Sequence, residues 1–157
     1  MECLQKLTVH LIKNLVDKEE LNAWAEDGEL ICSGHKVEDG FEIKYTCNFE
    51  MSDVKIKPMK LFMLVVSWLN KYTPERDSQN LLRPQFFTER LNNGRYDLGV
   101  KIEFQEQYNL VESESGEWIV GGVRMDLESD FYNLFDGEES EELKVFDSHT
   151  QDNKLQN

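Results

Sequence analysis

Between Phe41 and Tyr72 the hydrophobic period changes once, from two to that of a helix, and this restricts the fold more than any other feature. Phe41, Ile43, Tyr45, Cys47 and Phe49 alternate with Glu42, Lys44, Thr46, Asn48 and Glu50. Successive side chains on a strand point to opposite faces, so the stretch reads as one strand with a dry face and a wet face. The run Pro58–Tyr72 then predicts a helix. Pro58 suits its first turn, where the missing N–H would lack a partner anyway, and Thr73-Pro74 ends it, because a residue before proline is pushed out of the helical region. Lys60, Ser67 and Lys71 fall on one narrow stripe and the rest is largely apolar. That pattern predicts a central helix buried on several sides against the sheet. The run is too short and interrupted to span a membrane.

The other elements are placed around this pair. Leu4, Leu7, Leu11, Ile12 and Leu15 recur at helical spacing and predict an N-terminal amphipathic helix ending near Asp17; whether it packs in its own subunit is open. Ala23-Trp24-Ala25 and Leu30-Ile31-Cys32 flank Glu26-Asp27-Gly28-Glu29, the pattern of a hairpin turn. With Asp39-Gly40 before Phe41, this predicts a three-strand meander ahead of the central helix. Glu75 to Pro84 reads as a surface loop. Phe86 to Leu91 and the long alternation from Tyr96 through Phe104, continuing to Tyr108 and Leu110, predict a hairpin around Asn92-Asn93-Gly94-Arg95. With Asn93 and Gly94 at the turn, Arg90 faces Asp97, Leu91 faces Tyr96 and Phe87 faces Val100. Ser113–Gly116 is a further turn, and Glu117 to Val123 a returning strand. Leu127, Phe131, Leu134 and Phe135 then stand at helical spacing. The expected fold is α+β: a mostly antiparallel or mixed sheet of about five to six strands, with the N-terminal helix and a buried central helix packed on it.

A chain of 157 residues with 39% hydrophobic and 31% charged residues can build one core without disulfides or metal. Residues 1–135 are expected to form that single domain, and 136–157, opening with Glu138-Glu139-Ser140-Glu141-Glu142, an acidic disordered tail. A net charge of −14 argues against specific nucleic-acid binding, which needs clustered Lys and Arg, and against anionic membrane. Cys3, Cys32 and Cys47 are odd in number and lack metal spacing, so Cys32 and Cys47 are expected to pack as small hydrophobes. No secretory leader pattern is visible, consistent with a reducing cytoplasm.

No motif of catalysis is present: no phosphate-binding glycine loop, HExxH, GxSxG or EF-hand loop. His10, His35 and His149 are far apart. The acids are many, but none is marked by an apolar setting, and Asp97 and Glu103 are expected on a solvated strand face. The chain is therefore read as having no catalytic, cofactor or metal residues. For binding, Leu127, Phe131, Leu134 and Phe135 are candidate partner contacts, as a short helix entering a partner's groove. The alternative is a terminal helix folding back on its own domain.

With this order in place, the chain resembles the tail completion protein R family (GpR, also called EssR) of contractile-tailed temperate bacteriophages. The resemblance is carried by Leu4, Leu7 and Leu11 and by the stretches Trp24–Leu30, Gly40–Asn48, Val65–Glu75, Asp97–Glu106 and Trp118–Val120, over residues 1 to 123. It implies a tail-terminator-like structural protein that acts at the head-proximal end of the tail and makes it competent to join heads. The implied partners are tail tube, terminator and neck proteins and further copies in a ring, and the implied location is the virion, after assembly in the host cytoplasm. An acidic ring lumen would suit passing DNA. The competing reading is a small acidic adaptor or DNA-mimic inhibitor, which needs carboxylates ordered at phosphate spacing.

Overall fold

The alternation at Phe41 is the middle of a longer strand. The computed structural model describes residues 1–32 and 40–131. Helix α1 (Glu2–Asn14) leads through a single 3-10 turn (Lys18–Glu20) into β1 (Leu21–Ile31) and β2 (Phe41–Val54). Helix α2 (Pro58–Tyr72) follows, then β3 (Gln85–Arg90), β4 (Tyr96–Glu112), β5 (Trp118–Val120) and β6 (Val123–Ser129). The strands form one sheet in the order β1-β2-β4-β6-β5, with β3 also on β4, and every pairing is antiparallel. The α+β class holds, and the acidic tail lies outside the described residues.

The core follows from two periodicities. Tyr45, Cys47, Phe49 and Met51 of β2 and Leu98, Val100, Ile102 and Phe104 of β4 line the inner face. Cys3, Leu7 and Leu11 of α1 and Leu61, Val65, Trp68 and Leu69 of α2 close over them. The N-terminal helix therefore packs within its own subunit. Trp68 meets the Phe104 ring edge-on at 6.0 Å. Arg76, in the loop after α2, lays its guanidinium 5.5 Å from the other partner of that core, the Phe104 ring, and donates to the Glu103 carbonyl at 2.8 Å.

β4 organises the sheet. One of its edges pairs with β2 from Tyr96 to Tyr108, while its other edge is shared by β3 near one end and β6 at the far end. Beyond Tyr108, where β2 ends its pairing, β4 continues with β6 and β5 as an arm.

Several expectations are corrected. Asp27-Gly28 is no hairpin: β1 runs through it, and two residues there oppose the single Tyr45, with Asp27 at φ 52. A bulge meets the same demand for positive φ as a turn, and the long partner strand β2 keeps the chain going straight. Among the described residues two strands, not three, precede α2. The β3–β4 register is one residue from that expected: Arg90 opposes Tyr96, Glu89 opposes Asp97 and Phe86 opposes Val100. Leu91 N–H donates to Arg95, Gly94 N–H donates to Leu91, and Gly94 takes φ 75. The loop is thus a three-residue one with Gly94 in the left-handed position, not the two-residue turn assumed. Phe87 then opposes Gly99, where any Cβ would overlap its ring.

The Glu117–Val123 strand is split. Gly121 and Gly122, both at positive φ, turn β5 back as β6, which slots between β5 and β4. Leu127, expected in a helix, is in strand β6, because its pairing with Leu110 of β4 outweighs the helical spacing. Cys47 is buried as expected, but Cys32 is exposed. Finally, α2 is buried on one side only: Leu61, Val65, Trp68 and Leu69 are inside, and Met59, Met63 and Val66 are outside.

Candidate interaction surface

One carboxylate departs furthest from the expectation of solvated acids. Glu106 continues the inward phase of Ile102 and Phe104 on β4 and is 1% exposed. Its two oxygens accept the N–H of Cys3 (2.8 Å) and of Glu2 (2.9 Å), the Tyr108 hydroxyl (2.8 Å) and the Tyr45 hydroxyl. Helix α1 has no side-chain cap of its own, so its first-turn N–H groups, which lack partners in any helix, are met from β4. A negative charge there is also favoured by the helix dipole. Burial would raise the Glu106 carboxyl, but the donors from Tyr45, Cys3, Glu2 and Tyr108 outweigh it and hold the group below its ordinary value of 4.5. Burial, with Glu106 alongside, pushes the Cys3 thiol and Tyr45 hydroxyl well above their usual ranges, and pushes Cys47 up to about 12. Its oxygens are occupied by donors fixed in the fold, so Glu106 is an anchor for α1 rather than an acid or base for substrate. The signal for it in sequence was its phase: two residues after Phe104 on an alternating strand.

Several other acids on the sheet are partnered by cations or by backbone N–H groups. Glu103, expected to be solvated, is 13% exposed at its side chain; it pairs with Lys44 at 3.3 Å and accepts Leu82 N–H at 2.8 Å. Asp97 accepts Asp53 N–H at 2.8 Å, and Asp53 pairs with Arg95 at 2.7 Å. Lys101 reaches Glu26 at 3.0 Å and Asp27 at 3.7 Å. On this part of the sheet, carboxylates interleaved with cations in this way do not form the unbroken row that a DNA mimic needs. Among the described residues no three His, Cys, Asp or Glu side chains converge on a metal position, and no helix is long and apolar enough to cross a membrane.

What the surface does offer is apolar. Met59 (68% exposed), Met63 (57%) and Val66 (48%) stand at i, i+4 and i+7 along the outer side of α2. Phe86, 61% exposed on β3, extends the strip, its ring 4.4 Å from that of Phe62. Solvent contact of this extent along one helix side marks a contact surface. A second apolar group lies at the tip of the arm, where Trp118 (43%) and Ile119 (68%) point to opposite faces of β5 and neither is covered.

Of the partner contacts anticipated from sequence, the two described residues, Leu127 and Phe131, do not share a helix. Leu127 is half-buried on β6, and Phe131 packs against the core, as a segment folding back on its own domain would. Leu134 and Phe135 lie outside the described residues. The α2 strip was missed because its residues were assigned to the interior; its signal was the excess of apolar residues over what one buried stripe requires.

Comparison with known proteins agrees with this picture of a chain built for contact. A 19.2 kDa protein from the rep-hol intergenic region of Haemophilus phage HP1 (strain HP1c1) is 29% identical over 147 residues, covering 86% of each chain. No solved structure matches. The family model described as P2 phage tail completion protein R (GpR) matches residues 1–127. The chain therefore belongs to the P2 phage tail completion protein R family, whose members are structural proteins of the virion that serve tail assembly and are not enzymes.

Proposed function

We propose that this protein completes the phage tail at its head-proximal end and makes it competent for head–tail joining, acting as a homo-oligomeric ring that contacts tail tube, terminator and neck proteins. The observation that carries the reading is the uncovered apolar side of α2 in a protein whose family is structural. An exposed strip of this kind costs solubility unless it is covered in the assembled particle. In this reading residues 1–135 act as one domain and assembly takes place in the host cytoplasm before the protein enters the virion. Leu127, Phe131, Leu134 and Phe135 mark the region nearest a neck or tube partner, with Phe131 anchoring it to the body. The test is complementation: tails assembled without the protein should lack density at the head-proximal tip and fail to join heads, and adding purified protein should restore both. Tails that join heads normally in its absence would overturn the reading.

A further inference from the structure

We infer that copies of this chain associate head to tail, with the tip of the β4–β6–β5 arm of one protomer seated on the α2 side of the next. The inference rests on the ring reading above and names the two surfaces that would form the ring contact.

The two surfaces match in chemistry. Along residues 54–74 the charge is of one sign: Lys55, Lys57, Lys60 and Lys71 occur between Asp53 and Glu75 with no acid among them, in a chain of net charge −14. Lys55, Lys57 and Lys60 are exposed, and Lys60 shares the outer side of the helix with Met59 and Met63. The arm has the opposite sign. Residues 110–130 hold Glu112, Glu114, Glu117, Asp126, Glu128 and Asp130 against Arg124 alone. Glu114 and Glu117 are exposed and lie in the turn leading to Trp118 and Ile119. Each surface is therefore an apolar centre with a charged rim, and the rims are complementary. Such rims steer encounter and suppress like-to-like pairing.

Geometry rules out contact within one protomer. Phe86 opposes Val100 of β4, whereas Trp118 opposes Met125, which opposes Glu112 of β4. The two surfaces are thus separated by the stretch of β4 from Val100 to Glu112, roughly 40 Å at about 3.3 Å per residue. A single continuous strand holds them apart, so they can meet only between molecules. Two different surfaces in contact make a heterologous interface, which repeats around a ring when the rotation closes. The sequence pattern points the same way: α2 carries enough apolar residues for burial on more than one side, and one protomer buries only one.

The test uses single-surface variants of the full chain, Met63→Asp on α2 and Ile119→Asp on the arm. Both positions are exposed, and circular dichroism would verify folding. Sedimentation velocity of the unaltered protein should show a concentration-dependent oligomer, and each variant alone should sediment as a monomer of 18.5 kDa. Mixing the two should give a one-to-one dimer of about twice that mass and nothing larger, because each pair retains one intact contact, whereas the unaltered protein should exceed a dimer; a surface that paired only with its own copy would instead let one variant self-associate. The double change Lys57→Glu/Lys60→Glu should weaken assembly at least tenfold, and Glu114→Lys/Glu117→Lys on the partner should restore it. Unaltered protein that stays monomeric at its highest soluble concentration overturns the inference. So do variants that still form the full oligomer, but then tail completion in the complementation assay can stand, and only the assignment of surfaces falls.

Discussion

The two helices lie on the same sheet and differ in how far the protomer finishes them. Helix α1 buries Cys3, Leu7 and Leu11, turns Gln5, Val9 and Lys13 outward, and has its N-terminus held by a carboxylate from β4. Helix α2 buries a comparable stripe but leaves Met59, Met63 and Val66 in solvent and has no side-chain cap at its N-terminus. Helix α1 is thus nearly complete in one molecule: Val9 is its one large apolar side chain left exposed, and the N–H groups of Glu2 and Cys3 are paired. Helix α2 is complete only if something covers its outer side. On the proposed reading the difference separates residues that serve stability from residues that serve assembly, although both sets are apolar and helical in sequence.

Substitutions can break or sharpen that separation. The largest effect is expected from Leu7→Ala on the inner side of α1: a fully buried leucine leaves a cavity, costing about 3 kcal/mol in urea unfolding. A loss below about 1 kcal/mol would mean that α1 is not seated on the sheet. Next is Glu106→Gln. It places an amide where donors already converge and should cost about 2 kcal/mol. Because the folded carboxyl titrates below 4.5, its contribution is fully present above that range and fades as the pH falls through the depressed folded value. Stability measured against pH should therefore fall on the acid side, and less steeply in the Glu106→Gln variant; parallel curves would show that Glu106 does not anchor α1 through its charge. The smallest effect on stability is expected from Met63→Ser, within about 0.5 kcal/mol because the side chain is already in solvent. A thermal melt showing a larger loss would put Met63 in the core and erase the contrast between the helices.

Much of this division could be read from residue order, and particular positions show where reading stopped. The inner faces of β2 and β4 were legible because alternation leaves one phase apolar, and Pro58 and Thr73-Pro74 bounded α2 by local sterics. The bulge at Asp27-Gly28 was not, since an Asp-Gly pair satisfies a turn and a bulge equally and the choice belongs to β2 alongside. The β3–β4 register failed by one residue because two- and three-residue loops share the same Asn-Gly signature, and Gly94 chose the longer one. Leu127 has helical spacing with Phe131 but pairs with Leu110 instead. For the interaction surface, sequence showed that α2 is unusually apolar without showing which side stays uncovered.

By itself, then, the order of residues determined the two helices, the dry faces of the long strands, the acidic balance and the membership of a tail completion family. These depend on local sterics and on periods of two and 3.6, which each stretch carries alone. Only the tertiary structure decided that Glu106 caps a helix a hundred residues away, that α2 is covered on one side, and that its lysines and the arm's carboxylates stand at opposite ends of β4. Those depend on which surfaces the folded chain brings together and which it holds apart, a property of distance in space that spacing along the chain does not encode.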